Sequence, residues 1–292
     1  MYSKLTLIVL FNLLVSNISF AKDAALESCE AAVHGHQYAQ AVNIAEQYAG
    51  QPEFWLCKGR AQAGLAQNAA AQESFRQAIA LKPQGVDLIS AHMLLGNAQE
   101  AAKNTAGALE NYQQALRFSE QQDLRRYMRV AHNLIGEALY GNGQHAESLQ
   151  AFQAGEKLAA NDDERADSYI HEAMAYQQLQ QLDSAIEYQL KGVMMLQKSG
   201  TPEQYAEASL TLGKLFTSKK DYVGAGKTYQ RLMAYARENG GAFYEAKTAL
   251  YWAETKREQG DMAGAEQLVK EAGAIALKLQ DAELDEMLAK AK

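Results

Sequence analysis

One pattern of small and aromatic residues comes round six times between Trp55 and Ala272. Trp55 is followed four residues later by Gly59, twelve after that by Ala71, then by Phe75, Ala78 and Pro83. The frame returns as His92, Leu95, Gly96, Ala108, Tyr112 and Ala115, and again as His132, Ile135, Gly136, Ser148, Phe152 and Gly155. Tyr169, Ala173, Tyr176, Ala185 and Gly192 carry the fourth copy, with Gln189 where the aromatic residue belongs. Leu212, Gly213, Phe216, Ala225 and Tyr229 make the fifth, and Trp252, Ala253, Ala265, Val269 and Ala272 a degenerate sixth. A weak leading copy runs through Cys29, Ala41 and Ala45. Successive copies are offset by 37 or 40 residues. Repetition at such a period excludes one central core, because each copy buries its apolar face only against its neighbours. Alanine, glutamine, leucine and glutamate dominate, β-branched residues are sparse, and only three prolines occur. That mix favours helix in nearly every window, so the chain reads as all-α.

The spacing resembles the tetratricopeptide repeat, a helix–turn–helix unit whose first helix (A) packs on its second (B). The resemblance covers most of Lys22–Leu279, in six or seven units with helices about a turn longer than in the shortest form. It implies a right-handed superhelical solenoid. In such a unit the small Gly59 lets helix A touch helix B, Ala71 sits at their closest approach, and Phe75 and Trp55 fill the space beside it. Turn-prone stretches at Gly141-Asn142-Gly143, Lys219-Lys220-Asp221 and Gln259-Gly260-Asp261 mark bends between helices. Pro52, Pro83 and Pro202 fall at repeat boundaries, where a missing amide donor does no harm. The expected organisation is a leader over 1–21, repeats over 22–280 and a polar helical cap over 281–292.

The leader is read from Lys4, the apolar run Leu5–Val15, and small Ser19 and Ala21 at the −3 and −1 places of a signal-peptidase site. Cleavage after Ala21 would leave Lys22 first, with no membrane anchor on the mature chain and a periplasmic or secreted destination. In an oxidising compartment Cys29 and Cys57 are expected to pair, two buried free thiols being the alternative. By the repeat frame they lie on neighbouring A helices. A net charge of −7 argues against nucleic acid as a partner, since a polyanion needs a basic face.

Apparent chemical motifs dissolve on inspection. Gly224-Ala225-Gly226-Lys227-Thr228 looks like the end of a phosphate-binding loop, but Asp221 stands where the first glycine is required and no apolar strand precedes it. His171-Glu172 begins a zinc-protease signature whose second histidine is Ala175. His92 and His132 share an aromatic slot and read as packing residues. No metal, cofactor or catalytic residue is expected.

The resemblance implies a protein or peptide partner lying along the A helices, which line a groove in this family. Counting from the glycine slot places Arg60, Asn97, Glu137 and Lys214 one residue after it. His171 and Tyr251 stand two before it, and Asn133 three before it. These seven are the expected partner-binding residues. The lysines of the family's carboxylate clamp are replaced by Leu56 and Met93. The reading is a non-catalytic scaffold of the bacterial envelope, with a cytoplasmic peptide-sensing regulator as the alternative.

Overall fold

The computed structural model describes residues 22–291, so the expected leader and its cleavage point lie outside the described residues. Among those residues there are helices and short turns and no strand. The chain divides into two compact units, one running to Ala138 and one from Leu139.

The first unit holds α1 (residues 22–34), α2 (Tyr38–Glu46), α3 (Pro52–Gly64), α4 (Asn68–Ala80), α5 (Val86–Ala101), α6 (Thr105–Gln121) and most of α7 (Arg125–Gly141). The second holds α8 (His145–Glu156), α9 (Asp162–Gln178), α10 (Leu182–Ser199), α11 (Pro202–Ser218), α12 (Tyr222–Glu238), α13 (Ala242–Gln259), α14 (Met262–Leu279) and α15 (Ala282–Lys290). Odd-numbered helices through α13 are the A helices of the repeats, and the even-numbered ones are the B helices.

The repeating residues form the contact between paired helices. Phe75 lies on Gly59, Tyr112 on Gly96 and Tyr229 on Gly213, each ring so close that a Cβ on the glycine would overlap it. The three rings are buried to within 1 % of completely, together with Ala71, Ala108 and Ala225 of the same B helices. Burial of one such side chain is worth about 1.5–3 kcal/mol, and the missing Cβ is what admits it.

Most turns from an A helix into its B helix share one solution. The amide of Gln37, Gln67, Asn104, Gln144, Gln181, Asp221 and Asp261 returns to a carbonyl five residues back, and the residue before each of these positions except Gln144 and Asp261 is a non-glycine in the left-handed region. Gly143 and Gly260 supply that conformation without strain. Asn104, Asp221 and Asp261 then cap the B helix by accepting from the amides of Gly107, Gly224 and Gly264. The glycine-rich run at Gly224 is therefore the first turn of α12, and Asp221 occupies the place an anion would take.

In the leading repeat Ala45 stands in the aromatic slot; the Tyr38 ring of α2 lies instead on Gly64 of α3, and further bonds hold these helices. A disulfide joins Cys29 of α1 to Cys57 of α3, with α-carbons 6.4 Å apart. Arg60 pairs with Glu30 at 2.6 Å, and Lys22 with Glu53. Closing a 28-residue separation constrains the unfolded chain by about 3.5 kcal/mol in the entropic account. At the other end α15 buries Leu284 in the core around α13 and α14, and Lys247 ties Glu207 of α11 to Glu283 of α15 at 2.9 and 3.1 Å.

Gly96→Ala should therefore lower stability by about 1–2 kcal/mol, overpacking against Tyr112 outweighing alanine's better helix propensity. Gly141→Ala, whose Cβ meets nothing within 4 Å, should be neutral or slightly stabilising. Urea unfolding of both variants reads the difference; equal effects would remove the glycine–ring contact from the account.

Candidate functional site

The A helices carry three slots around the glycine position, and the fold treats them differently. Three residues before it, Leu56, Met93, Asn133, Leu210 and Leu250 are all buried, and only Ile170 is half-buried. This is a packing slot. Asn133 sits in it at 8 % exposure, so it offers little surface to a partner, unlike the other six expected residues. Two before the glycine, Leu94, Leu134, His171, Thr211 and Tyr251 are half-buried, while Cys57 is fully buried in the disulfide. One after it, Asn97, Glu137, Lys214 and Glu254 are exposed and Arg60 and Met174 half-buried.

Several of these residues are held by neighbours. Asn97 accepts from the Tyr112 hydroxyl at 2.8 Å, and Glu100 accepts from the same hydroxyl at 3.0 Å. Burial, with Glu100 beside it, pushes the Tyr112 phenol well above its ordinary range. Lys214 places its ammonium 3.7 Å from the centre of the Tyr251 ring, a cation–π contact on the exposed face. His171 stacks on Phe152 at 4.8 Å and lies 3.6 Å from the Asp167 carboxylate. Arg60 spends its charge on Glu30. His92 stacks on Phe118 and bonds Asn111 at 2.9 Å; burial lowers its pKa and that of His132. The structure thus brings Lys214 and Tyr251 together in the second unit and leaves Asn97 and Glu137 as separate exposed points on α5 and α7 in the first.

The sequence profile of the tetratricopeptide repeat matches residues 52–84 and 166–195, which are α3–α4 and α9–α10. The chain carries tetratricopeptide repeats. No curated protein matches it. Among solved structures it is similar to the apo form of RapI, at 14 % identity over 91 % of this chain and 79 % of that one, with a TM-score of 0.72. The C-terminal part of a TPR repeat-containing protein from Cytophaga hutchinsonii matches over 90 % of this chain and 99 % of its own, at 14 % identity and a TM-score of 0.64. A Rap protein complexed with competence and sporulation factor matches over 92 % and 99 %, at 13 % identity and a TM-score of 0.54. These likenesses establish the fold.

Within the tetratricopeptide frame the repeat α9–α10 departs twice, and each departure opens a pocket. The residue just before the small slot is Leu95, Ile135, Leu212 or Trp252 in other repeats, but here it is Glu172, only 2 % exposed. Lys58 is the other charged occupant of that slot, half-buried and paired with Glu46 at 2.9 Å. Glu172 lines a polar pocket of about 300 Å³ with Gln153 and Glu156 of α8, Lys157 just beyond it, Tyr169 of α9, and Tyr188 and Lys191 of α10. Lys191 stands 4.4 Å over the Tyr188 ring. Burial, reinforced by Glu156, raises the Glu172 pKa to about 7 against the opposing pull of Gln153 and Lys191. The second departure is Gln189, fully buried in the aromatic slot, whose amide donates to the Ala208 carbonyl at 2.8 Å. Sequence reasoning passed over Glu172 because it was weighed only as half of a zinc motif. The signal that finds it is a carboxylate in a mostly apolar slot. Among the described residues no group of three or more histidine, cysteine, aspartate or glutamate side chains is arranged to hold a metal ion, and no helix is long and apolar enough to cross a membrane.

A raised carboxyl pKa stabilises the folded chain below the unfolded value near 4.5, and that contribution is lost as pH rises through about 7. Relative to Glu172→Gln, the native protein should lose about 1.4 kcal/mol between pH 6 and pH 8.5. Urea unfolding of both proteins at the two pH values measures it. A difference that does not grow with pH would mean the carboxyl is solvated.

Proposed function

We propose that this chain is a non-catalytic interaction scaffold of the bacterial cell envelope, holding a segment of another protein along its A helices. The observation that carries the reading is the contrast between slots: one face of the A helices packs, while the positions one after and two before the glycine present Asn97, Glu137, Lys214, His171 and Tyr251 outward. A face that mixes exposed charge with half-buried aromatic and aliphatic surface, repeated at regular intervals, suits an amphipathic helix or an extended segment. The net charge of −7 on the whole chain favours a segment with basic residues. The envelope location rests on the leader read from residues 1–21 and on the pairing of Cys29 with Cys57, since disulfides persist in oxidising compartments.

A second reading is a peptide-sensing regulator acting in the cytoplasm, favoured by the similarity to a Rap protein complexed with competence and sporulation factor. Fractionation separates the two: an envelope protein should be recovered outside the cytoplasm with Lys22 as its first residue.

The scaffold reading is tested by capturing partners from envelope extract with the native chain and with Asn97→Ala/Glu137→Ala/Lys214→Ala. The triple variant should lose the partner held by the native chain, with a stability change of under about 1 kcal/mol, as is usual for exposed positions. Capture unchanged in the triple variant, but lost on altering exposed residues of the B helices, would move the interface to the other face.

A further inference from the structure

Gln189 stands in the slot where three other repeats place a ring. In α3–α4, α5–α6 and α11–α12 the aromatic side chain lies against the glycine of its A helix. In α9–α10 the slimmer amide stands there, and a slot of about 270 Å³ opens beside it. Asp163, Asp167 and Ile170 of α9 form one wall, one helical turn apart; Gln204, Glu207, Ala208 and Thr211 of α11 form the other. Gln189 and Leu196 of α10 line the slot between them.

Three features of this slot point to one ligand chemistry. Its rim carries three carboxylates and no basic side chain. Lys247 of α13 pairs with Glu207 and Glu283, and His171 lies beside Asp167 on α9 itself. Its interior offers the apolar atoms of Ile170, Leu196 and Ala208, suited to a hydrocarbon stem. Gln189 is completely buried, its Nε2 is spent on the Ala208 carbonyl, and its Oε1 takes no hydrogen bond from the protein. A buried acceptor left without a donor is destabilising, and an incoming N–H would relieve that cost. Gln204 is held in place by its reciprocal cap with Thr201, at 2.8 and 3.2 Å, so that wall is already ordered.

We infer that the slot between α9 and α11 takes one alkyl-linked cation, a guanidinium or ammonium group, with its stem on Ile170 and Leu196 and its N–H groups shared between Gln189 Oε1 and the rim carboxylates. Two sources share this chemistry: an arginine or lysine of the partner segment, and a free alkyl amine or guanidine. The first rests on the scaffold reading above, because the slot opens along the two A helices that the segment would follow.

The test is an NMR titration of the full chain, read at the Gln189 side-chain amide, with three probes: the blocked tripeptide acetyl-Gly-Arg-Gly-amide, its citrulline counterpart, and agmatine. The arginine tripeptide should shift the Gln189 amide, bind roughly tenfold or more tighter than the neutral citrulline form, and weaken with added salt. Asp163→Asn/Asp167→Asn, which changes only partly exposed rim residues, should weaken it roughly fivefold. Gln189→Leu should weaken both peptides, since each donates an N–H to Gln189 Oε1, and leave the preference for arginine over citrulline in place; unchanged affinities in this variant overturn the role of Gln189. Equal binding of the arginine and citrulline peptides, or an unchanged affinity in the aspartate variant, overturns the inference. Agmatine binding more tightly than the tripeptide assigns the slot to a free cation; the tripeptide binding as tightly or more tightly assigns it to a partner's side chain. Arginine binding at Gln189 with no envelope partner captured would leave the slot standing and remove the scaffold reading; capture on the A helices with no arginine binding would do the reverse.

Discussion

An aromatic ring packed against a helical glycine is the contact that joins the two helices of α3–α4, α5–α6 and α11–α12. Phe75, Tyr112 and Tyr229 reach their A helices only because Gly59, Gly96 and Gly213 have no side chain in the way. Each contact brings one A helix onto its own B helix and asks nothing of distant parts of the sequence. The chain can therefore change one repeat without unpacking the rest, as expected where repeats interact mainly with their neighbours. Where that contact is missing, something else replaces it: a disulfide and two ion pairs at the leading end, and Leu284 of α15 in the core near the far end.

Much of this was legible before any coordinates, because close approach of helices leaves a small-residue signature at fixed spacing and the ring that fills the gap is large. The helix pairs, the turns at Gly143, Lys220 and Gly260, and the likeness to the tetratricopeptide repeat all follow from that signature. Other features leave weaker traces. Left-handed residues such as Ala66, Lys103 and Gln180 end A helices without a glycine to announce them, since the returning hydrogen bond five residues back tolerates the strain. Asn133 reads as a polar groove residue, yet its slot is buried in nearly every repeat, and burial depends on the neighbouring helices rather than on the residue itself. Gln189 was visible as a break in the frame, but the space it opens depends on how α11 packs alongside α9.

The two departures in α9–α10 have different physical consequences. Glu172 puts a carboxyl where desolvation penalises its charge, which makes the stability of the second unit depend on pH near neutrality. Gln189 gives up aromatic packing for an open slot with an acidic rim and an unanswered acceptor. Both sacrifice core quality within one repeat. Sequence patterns that otherwise agree at every level tend to break where a binding site has been installed. Lys214 of α11 and Tyr251 of α13, in the same unit, supply cationic and aromatic surface on the A helices. A partner segment following these helices would meet acidic, then cationic chemistry in order.

The central claim is that the partner lies on the A helices. Photo-crosslinking in cells reads this directly, with the reactive residue placed in turn at Asn97 and Lys214 on A helices and at Glu110 and Gln230, exposed on B helices. The account predicts that Asn97 and Lys214 crosslink to the same protein and that Glu110 and Gln230 do not. Crosslinks formed only from Glu110 and Gln230 would contradict it.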